Sequence, residues 1–498
     1  MALVLSLGST AYFYSQDFII AYGDAESHLN IAKRVIHGLT PGFAQLGGIW
    51  LPLPHILMIP FVYFDFLWRS GLAGSIVSGV AFLLSSIYIY KLVILLTNNK
   101  YAAFLTFLVF ALNPNILYLQ STPMTELPLT TFFILSSYFF IKYIKNNNSI
   151  SSLLLSSFFG FCAVLTRYDG WFLVLTEALS ILLLYFRRKE NWKRIEGKVI
   201  LFSTLAFFGI FLWMMWDFLI LGDPFYFTNS QFSSRTQQQN WLARGELPAY
   251  RNLPLAFVYY LVTSMSNSGV IVFLVAIVGF YQFLINKKDL HRLFVLLILI
   301  VPFIFNVFAL FAGQSVIFIP HLTPVGFEWR LFNVRYGAMM IPVVSLFFGY
   351  TFYKAAKVST KTVIIFLFLL QFGLYIIGYS KIITLADGTE GLSRARRPDA
   401  EYWIKKNYDN GLVLVDDYAR TLSIIRSGIP MQNIIYIGNK PYWEESLVAP
   451  ERYARWIIMQ KDDDVWKHIY DKPNVRDRLF KYFQKTYTSP QILIFRRI

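Results

Sequence analysis

The sequence predicts a polytopic α-helical membrane protein that ends in a small soluble α/β domain. Composition is the first of three observations behind this prediction: of 498 residues, 56% are hydrophobic and 15% charged, and the mean hydropathy is +0.49. A soluble globular domain carries about 25% charged residues. Runs such as SIVSGVAFLLSSIYIYKLVILL and LFVLLILIVPFIFNVFALF are the second, because they can cross a hydrocarbon core about 30 Å thick. The third is a change of pattern near residue 385. Beyond it, GLVLVDD, NIIYIG, WIIMQ and QILIF read as strands, and DAEYWIKKNY and NVRDRLFKYFQKTY as helices. Residues 1–385 are therefore expected to form the membrane domain, and residues 386–498 an α/β domain outside the membrane.

Basic residues set the topology. The net charge of +16 gathers at Lys91 and Lys100, at Lys142 and Lys145, in RRKENWKR, in KKDLHR, and at Lys354, Lys357 and Lys361. These lie in every second loop, as the positive-inside rule requires, so the charge needs no nucleic-acid partner. The pattern places the N-terminus in the cytoplasm and predicts about eleven spans: 1–16, 71–92, 101–119, 127–145, 150–166, 170–186, 199–219, 266–285, 292–312, 335–353 and 362–381. MALVLSLGSTAYFYS lacks the basic start of a secretory signal and reads as a retained first helix. LPLPHILMIPFVYFDFLW (51–68) is apolar too, but as a span it would invert every later loop. It is expected to be a re-entrant or interfacial helix on the outer side. The single cysteine, Cys162, excludes an intramolecular disulfide. The chain has no internal repeat and no low-complexity tract.

Outer loops 17–70, 120–126, 166–171, 220–255 and 313–335 hold the unusual polar residues. In YGDAESHLNIAKRVIHG, Asp24, Glu26 and His28 precede an amphipathic helix whose apolar face is Leu29, Ala32, Val35, Ile36 and Leu39. Asp24 also reads as an N-cap, Glu26 as a first-turn acid, and His28 as a partner for Asp24 at i+4. Glu126 opens an apolar helix from a loop without basic residues, where an unpaired carboxylate is costly. Glu177 lies deeper, with no role assigned. Asp416–Asp417 and KDDD (461–464) read as strand-end and solvated charges. His55, Arg167, Arg330 and Arg335 stand on the side where positive charge is avoided, and an Arg cluster at headgroup depth suits a lipid phosphate. Each of them singly also reads as a snorkelling side chain.

In their order and sidedness these motifs resemble the GT-C class of membrane glycosyltransferases, especially the branch of the protein O-mannosyltransferases and the aminoarabinose transferases of lipid A. The likeness covers the organisation of most of the membrane domain, with recognisable motifs in patches. Members carry an acid at a helix start after the first span and then a Pro-rich stretch; YGDAESHLNIAKRV and WLPLPHILMIP stand in those places. Asp24-Ala25-Glu26 replaces the family's adjacent Asp-Glu. Glu126 in STPMTELPL matches the acid where the third span turns into the fourth, and His55 is nearest to a family Lys or His beside the prolines. The oligosaccharyltransferase signature WWDYG is absent, since WMMWDF (213–218) lies within a span.

The resemblance implies transfer of a sugar, with inversion, from a polyprenyl-phosphate donor to a lipid, glycan or protein acceptor on the extracytoplasmic face of a prokaryotic cell membrane. Asp24 would be the general base, with Glu26 and Glu126 as further catalytic acids. His55, Arg167, Arg330 and Arg335, or a divalent cation (Mg²⁺ or Mn²⁺) shared by Asp24 and Glu126, would hold the phosphate. His28, Tyr168, Arg235 and Trp241 are assigned to the acceptor or to a lid formed by 220–255, a loop too long for a simple connection. A transporter or lipid flippase is the alternative from another class. It predicts paired broken helices in two halves, and the sequence shows no such pairing. A ligand-sensing membrane protein is a third reading, and it leaves the acids at 24, 26 and 126 unexplained.

Overall fold

The computed structural model describes residues 1–498 except 146–148, 189–191, 288, 290, 395–398 and 418–421. Parts of RRKENWKR and KKDLHR, Lys288 among them, lie outside the described residues. The chain divides into two compact units: Met1–Ile19, Gly48–Pro54 and Ser75–Ser393 form the first, and Ile20–Gly47, His55–Gly74 and Arg394–Ile498 the second. This division departs from a boundary after residue 385. The chain stays in the first unit to Ser393, and two pieces of the first outer loop join the C-terminal segment.

The first unit is helical. Among the described residues, five helices are long and apolar enough to cross a membrane: Leu72–Thr97, Glu126–Lys145, Ile195–Leu221, Val334–Lys354 and Val358–Ile376. Two bent pairs raise the number to seven, Leu253–Ser268 with Val270–Leu284 at 113° and Arg292–Leu299 with Val301–Phe311 at 47°. The chain is thus an integral membrane protein. Ala2–Ser15, Lys100–Ala111 and Ile150–Val164 fall short of the roughly 20 residues a perpendicular span needs, as does Leu53–Val62.

Two expected spans are altered by local chemistry. The run 101–119 breaks at Pro114, whose missing N–H suits a helix start, and Asn113 caps the new helix Pro114–Leu119 by accepting from Asn115 N at 2.9 Å. The span expected at 266–285 is one arm of a bent pair. Gly269 makes the corner at φ +88°, and an added Cβ would approach Gln371 to 2.7 Å. Gln371 Oε1 in turn accepts from Ile271 N at 3.0 Å, satisfying an amide at the start of the second arm.

Short polar side chains join the helices, as expected where apolar contact alone gives little specificity. Gln120 Nε2 donates to Ser9 Oγ at 2.7 Å, Asn113 Nδ2 to Asn267 O at 2.9 Å, and Ser85 meets Thr131 at 2.9 Å. Glu177 belongs to this set. Ser136 Oγ donates to it at 2.9 Å and Ser156 Oγ at 3.3 Å, so one buried carboxyl ties three helices.

In the second unit five strands are ordered β2-β1-β3-β5-β4: β1 (Val413–Val415), β2 (Ile434–Ile435), β3 (Trp456–Gln460), β4 (Phe483–Thr488) and β5 (Ile492–Arg497). β1 runs parallel to β2 and β3, while β5 is antiparallel to β3 and β4. The helix expected through NVRDRLFKYFQKTY stops at Tyr482 and continues as β4. Burial of Phe483 in the core and pairing with β5 outweigh the helical pattern of the remaining residues. The core holds Leu414, Ile457, Met459, Phe495 and Leu479, and Leu39 packs against it.

Helix Gly23–His37 belongs to this unit. Leu29, Ala32 and Val35 are buried as the amphipathic pattern predicts, but Asn30, Lys33 and Arg34 are buried as well. Lys33 Nζ donates to Val62 O at 2.9 Å and pairs with Asp65 at 2.5 Å, and Arg34 pairs with Asp417.

Candidate active site

In the first unit Glu126 opens helix Glu126–Lys145, Arg167 lies in the turn before helix Asp169–Arg188, and Arg335 sits in the 3₁₀ segment Val334–Met340. Their side chains converge. Glu126 Oε1 accepts from Arg335 Nε at 3.0 Å and from Arg167 Nη1 at 3.2 Å, with the Glu126 side chain 1% exposed and Arg335 4%. Asp169 Oδ2 meets Arg167 Nε at 3.4 Å, and Thr125 Oγ1 accepts from Arg167 Nη1 at 3.2 Å. Arg335 Nη1 reaches Ser393 Oγ at 3.0 Å and Asp387 Oδ2 at 3.7 Å. Both guanidiniums lie near the Tyr336 ring, at 4.9 and 5.2 Å from its centroid.

Three carboxylates thus surround two guanidiniums, and the arrangement leaves specific valences open. Glu126 Oε2 and Asp169 Oδ1 are buried without a partner among the described residues. Arg167 uses Nε and Nη1, its side chain is 19% exposed, and Nη2 has no partner among the described residues. Burial opposes the charge on Arg167, but Asp169 and Glu126 outweigh it and hold its pKa above the ordinary arginine value. The cluster therefore offers a permanent cation with a free N–H edge beside two open acceptors.

Other expected residues stand elsewhere. Arg330 is exposed, and its Nη2 donates to Pro320 O at 2.6 Å, so it clasps its own loop rather than joining the cluster. Tyr168 donates to Ile49 O at 2.8 Å and stacks on Phe227 with centroids 5.2 Å apart; burial raises its phenol pKa, which keeps it a donor. The loop 220–255 contains three short helices, Tyr226–Asn229, Ser234–Gln237 and Gln239–Ala243, and helix Leu253–Ser268 begins before its expected end. Trp241 stands edge-on to Phe318 and Phe332, Arg244 pairs with Glu246 and Glu328, and Arg235 is exposed.

The second unit holds Asp24, Glu26, His28 and His55. Asp24 is half-buried in the first turn of its helix; the N-cap position belongs to Tyr22, so the expected cap is displaced by two residues. Glu26 accepts from Ser423 Oγ at 2.8 Å and from Ile425 N at 3.2 Å. Burial raises its pKa despite those two hydrogen bonds. His28 Nδ1 and His55 Nε2 are 2.9 Å apart. Burial, and then the neighbouring His28, push the His55 imidazole well below its ordinary pKa. A neutral, fully buried His55 supplies no positive charge to a phosphate.

Among the described residues no group of three or more His, Cys, Asp or Glu side chains is placed to hold a metal ion. Glu126 already carries two guanidiniums on one oxygen, and Asp24 belongs to the other unit. Asp169, Asp387 and Tyr336 were not among the expected site residues. Asp169 was open to recognition as a first-turn acid two residues after Arg167 in TRYDGW. For Asp387 the sequence carries no signal, since its role depends on a contact with distant Arg335.

Residues 64–216 match the family described as dolichyl-phosphate-mannose-protein mannosyltransferase. No curated protein sequence matches the chain. Among solved structures, ArnT from Cupriavidus metallidurans bound to undecaprenyl phosphate superposes with a TM-score of 0.58 at 13% identity, covering 100% of this chain and 96% of that one. The Archaeoglobus fulgidus oligosaccharyltransferase in complex with Zn and sulfate gives 0.52 at 11% identity, over 98% of this chain and 72% of that one. The archaeal oligosaccharyltransferase AglB from the same organism, in complex with an inhibitory peptide and a dolichol-phosphate, gives 0.50 at 10% identity, over 98% and 73%. At these identities the structures establish a shared fold. With the family match, they indicate a glycosyltransferase that resembles the GT-C mannosyltransferase and ArnT branch.

Proposed function

We propose that the chain transfers a sugar from a polyprenyl-phosphate donor to a hydroxyl of a lipid, glycan or protein acceptor on the extracytoplasmic face of a prokaryotic cell membrane. Arg167 is the observation that carries this reading. It is a charged guanidinium gripped by Glu126 and Asp169, close to Arg335, with one terminal nitrogen left for a ligand. Such a fork suits phosphate oxygens. The lipid phosphates bound by ArnT and AglB support the donor class.

Asp24 takes the proton of the acceptor hydroxyl as its oxygen bonds to C1 of the sugar. The C1–O bond to phosphate breaks on the opposite face, so configuration inverts. Arg167 and Arg335 neutralise the charge that develops on the departing phosphate, and Glu126 holds the two guanidiniums in place. Loop contacts support the sidedness. Lys145 pairs with Asp289 at 2.9 Å, joining two loops expected inside, while Arg167 and Arg335 meet Glu126 from loops expected outside. Eleven spans with a cytoplasmic N-terminus remain the proposed topology, on the alternation of basic loops.

Purified protein given a panel of labelled polyprenyl-phosphate sugars is expected to release polyprenyl phosphate and pass one sugar to acceptor. A flippase would move the lipid and leave it intact. Intact donor across the whole panel, with acceptor present, would overturn the assignment.

The loop 220–255 is proposed to close over bound donor and exclude water from the leaving phosphate. Its contacts with 313–335 run through the exposed Arg244–Glu328 ion pair and through Trp241, which a ligand can rearrange at small cost. Limited proteolysis is expected to cut within RTQQQNWLAR in the free protein and to be blocked by donor lipid. Equal cleavage under both conditions would remove the lid.

A further inference from the structure

We propose that the C-terminal α/β segment positions the helix that carries Asp24, and that Glu26 is the positioning residue through which it does so. The inference rests on the reading of Asp24 as the base. It takes Glu26 out of the set of groups that touch substrate and gives the C-terminal segment a part in turnover.

The attachment runs along the whole of helix Gly23–His37, and the partners named below lie in the second unit. Immediately before the helix, Tyr22 forms an antiparallel bridge with Arg394, and its side chain is fully buried. One turn in, the two Glu26 oxygens accept separately from Ser423 Oγ at 2.8 Å and Ile425 N at 3.2 Å. Near the far end, Arg34 pairs with Asp417, and its guanidinium lies 3.8 Å from the Tyr436 ring centroid. Beyond the helix, Thr40 Oγ1 accepts from Asn439 Nδ2 at 2.8 Å, and Gln45 Nε2 donates to Gly438 O at 3.2 Å.

Within this series Glu26 holds the turn that contains Asp24. The two residues are separated by Ala25 alone, whose side chain is fully buried. A carboxylate that accepts one hydroxyl and one amide has two fixed directions, so it sets the rotation of the turn as well as its distance. Ser423 is itself fixed, because its Oγ also accepts from Arg426 N at 3.1 Å. Glu26 is partly buried, so these hydrogen bonds are costly to leave unmade. A catalytic base displaced by about 1 Å loses up to roughly a hundredfold in rate. Loosening this turn is therefore expected to appear in turnover rather than in donor binding.

The test uses the full chain in lipid nanodiscs, with Glu26→Gln, Ser423→Ala, Ser423→Thr and the Glu26→Gln/Ser423→Ala double variant. Two readouts are taken: transfer kinetics, and hydrogen exchange of the amides of residues 23–30. Ser423→Ala and Glu26→Gln are each expected to lower kcat by about tenfold or more with donor KM within about twofold of wild type. The double variant should be no slower than the slower single variant, because both remove one contact. Ser423→Thr keeps the hydroxyl and is expected to restore kcat. Exchange at 23–30 should speed up in the three impaired variants and not in Ser423→Thr.

A Ser423→Ala variant with wild-type kcat and exchange, beside an inactive Glu26→Gln, would put Glu26 on the substrate and overturn the inference. Faster exchange with unchanged kcat would overturn it too, leaving a purely structural clamp. A fully active Asp24→Asn would refute the reading of the base while leaving the exchange result to decide the clamp, so the two failures are distinguishable.

Discussion

Asp24→Asn is expected to lower sugar transfer at least about a hundredfold, the range for losing a general base, with little loss of folded protein. The side chains are nearly the same size, and Asn, lacking the negative charge, cannot take the proton. Helix integrity is a weak competitor as an explanation. The N-cap is Tyr22, and the first turn keeps Glu26 to complement the helix dipole. Donor binding should survive, because the groups proposed for the phosphate are Arg167 and Arg335. The measurement is kcat with a labelled polyprenyl-phosphate sugar, alongside a melting curve. A folded, fully active Asn variant would return Asp24 to a structural role.

Arg335→Gln is expected to destabilise the protein by about 3–5 kcal/mol, the usual cost of removing one partner from a buried ion pair. Asp387, 0% exposed, would lose an ion pair, and Glu126, 1% exposed, would be left with the longer of its two, to Arg167. Donor lipid affinity should fall by at least about tenfold, since a charge-assisted pair contributes roughly 1.5–3 kcal/mol. Arg335→Lys should recover part of the stability and less of the affinity: one ammonium cannot address Glu126, Ser393 and Asp387 together as the planar fork does. Lys357→Gln, in a loop expected on the inner side, is the control and should change neither quantity. Melting temperature and binding of undecaprenyl phosphate are measured in parallel. Wild-type affinity in a folded Arg335→Gln would separate this guanidinium from the donor.

Much of the architecture was legible because it follows from local quantities. Hydrophobic length marks a membrane helix residue by residue. The strands of the C-terminal segment are short apolar runs between turn residues, and all four expected runs hold a strand. Errors came where context competes with pattern. The residues after Tyr482 carry a helical pattern, yet an available edge on β5 makes them a strand. Arg330 and Arg335 look alike in sequence, but Arg330 Nη2 donates to a carbonyl of its own loop while Arg335 reaches Glu126.

Site residues divide in the same way. Glu126, Arg167 and Arg335 were legible as charges where charge is costly or unusual, and such charges survive only with partners. Their partnership was not legible, since Glu126 and Arg335 stand 209 residues apart and a hydrogen bond depends on a few tenths of an ångström. Glu26 and His55 looked catalytic by type and position. In the tertiary structure Glu26 accepts from Ser423 and Ile425, and the His55 ring meets that of His28. By itself the sequence determined that this is a membrane protein with charges where charge is costly, because hydrophobicity and charge act wherever they stand. Only the fold decided which of those charges meet and which hold the chain together, because direction and distance exist only once segments far apart in sequence are packed.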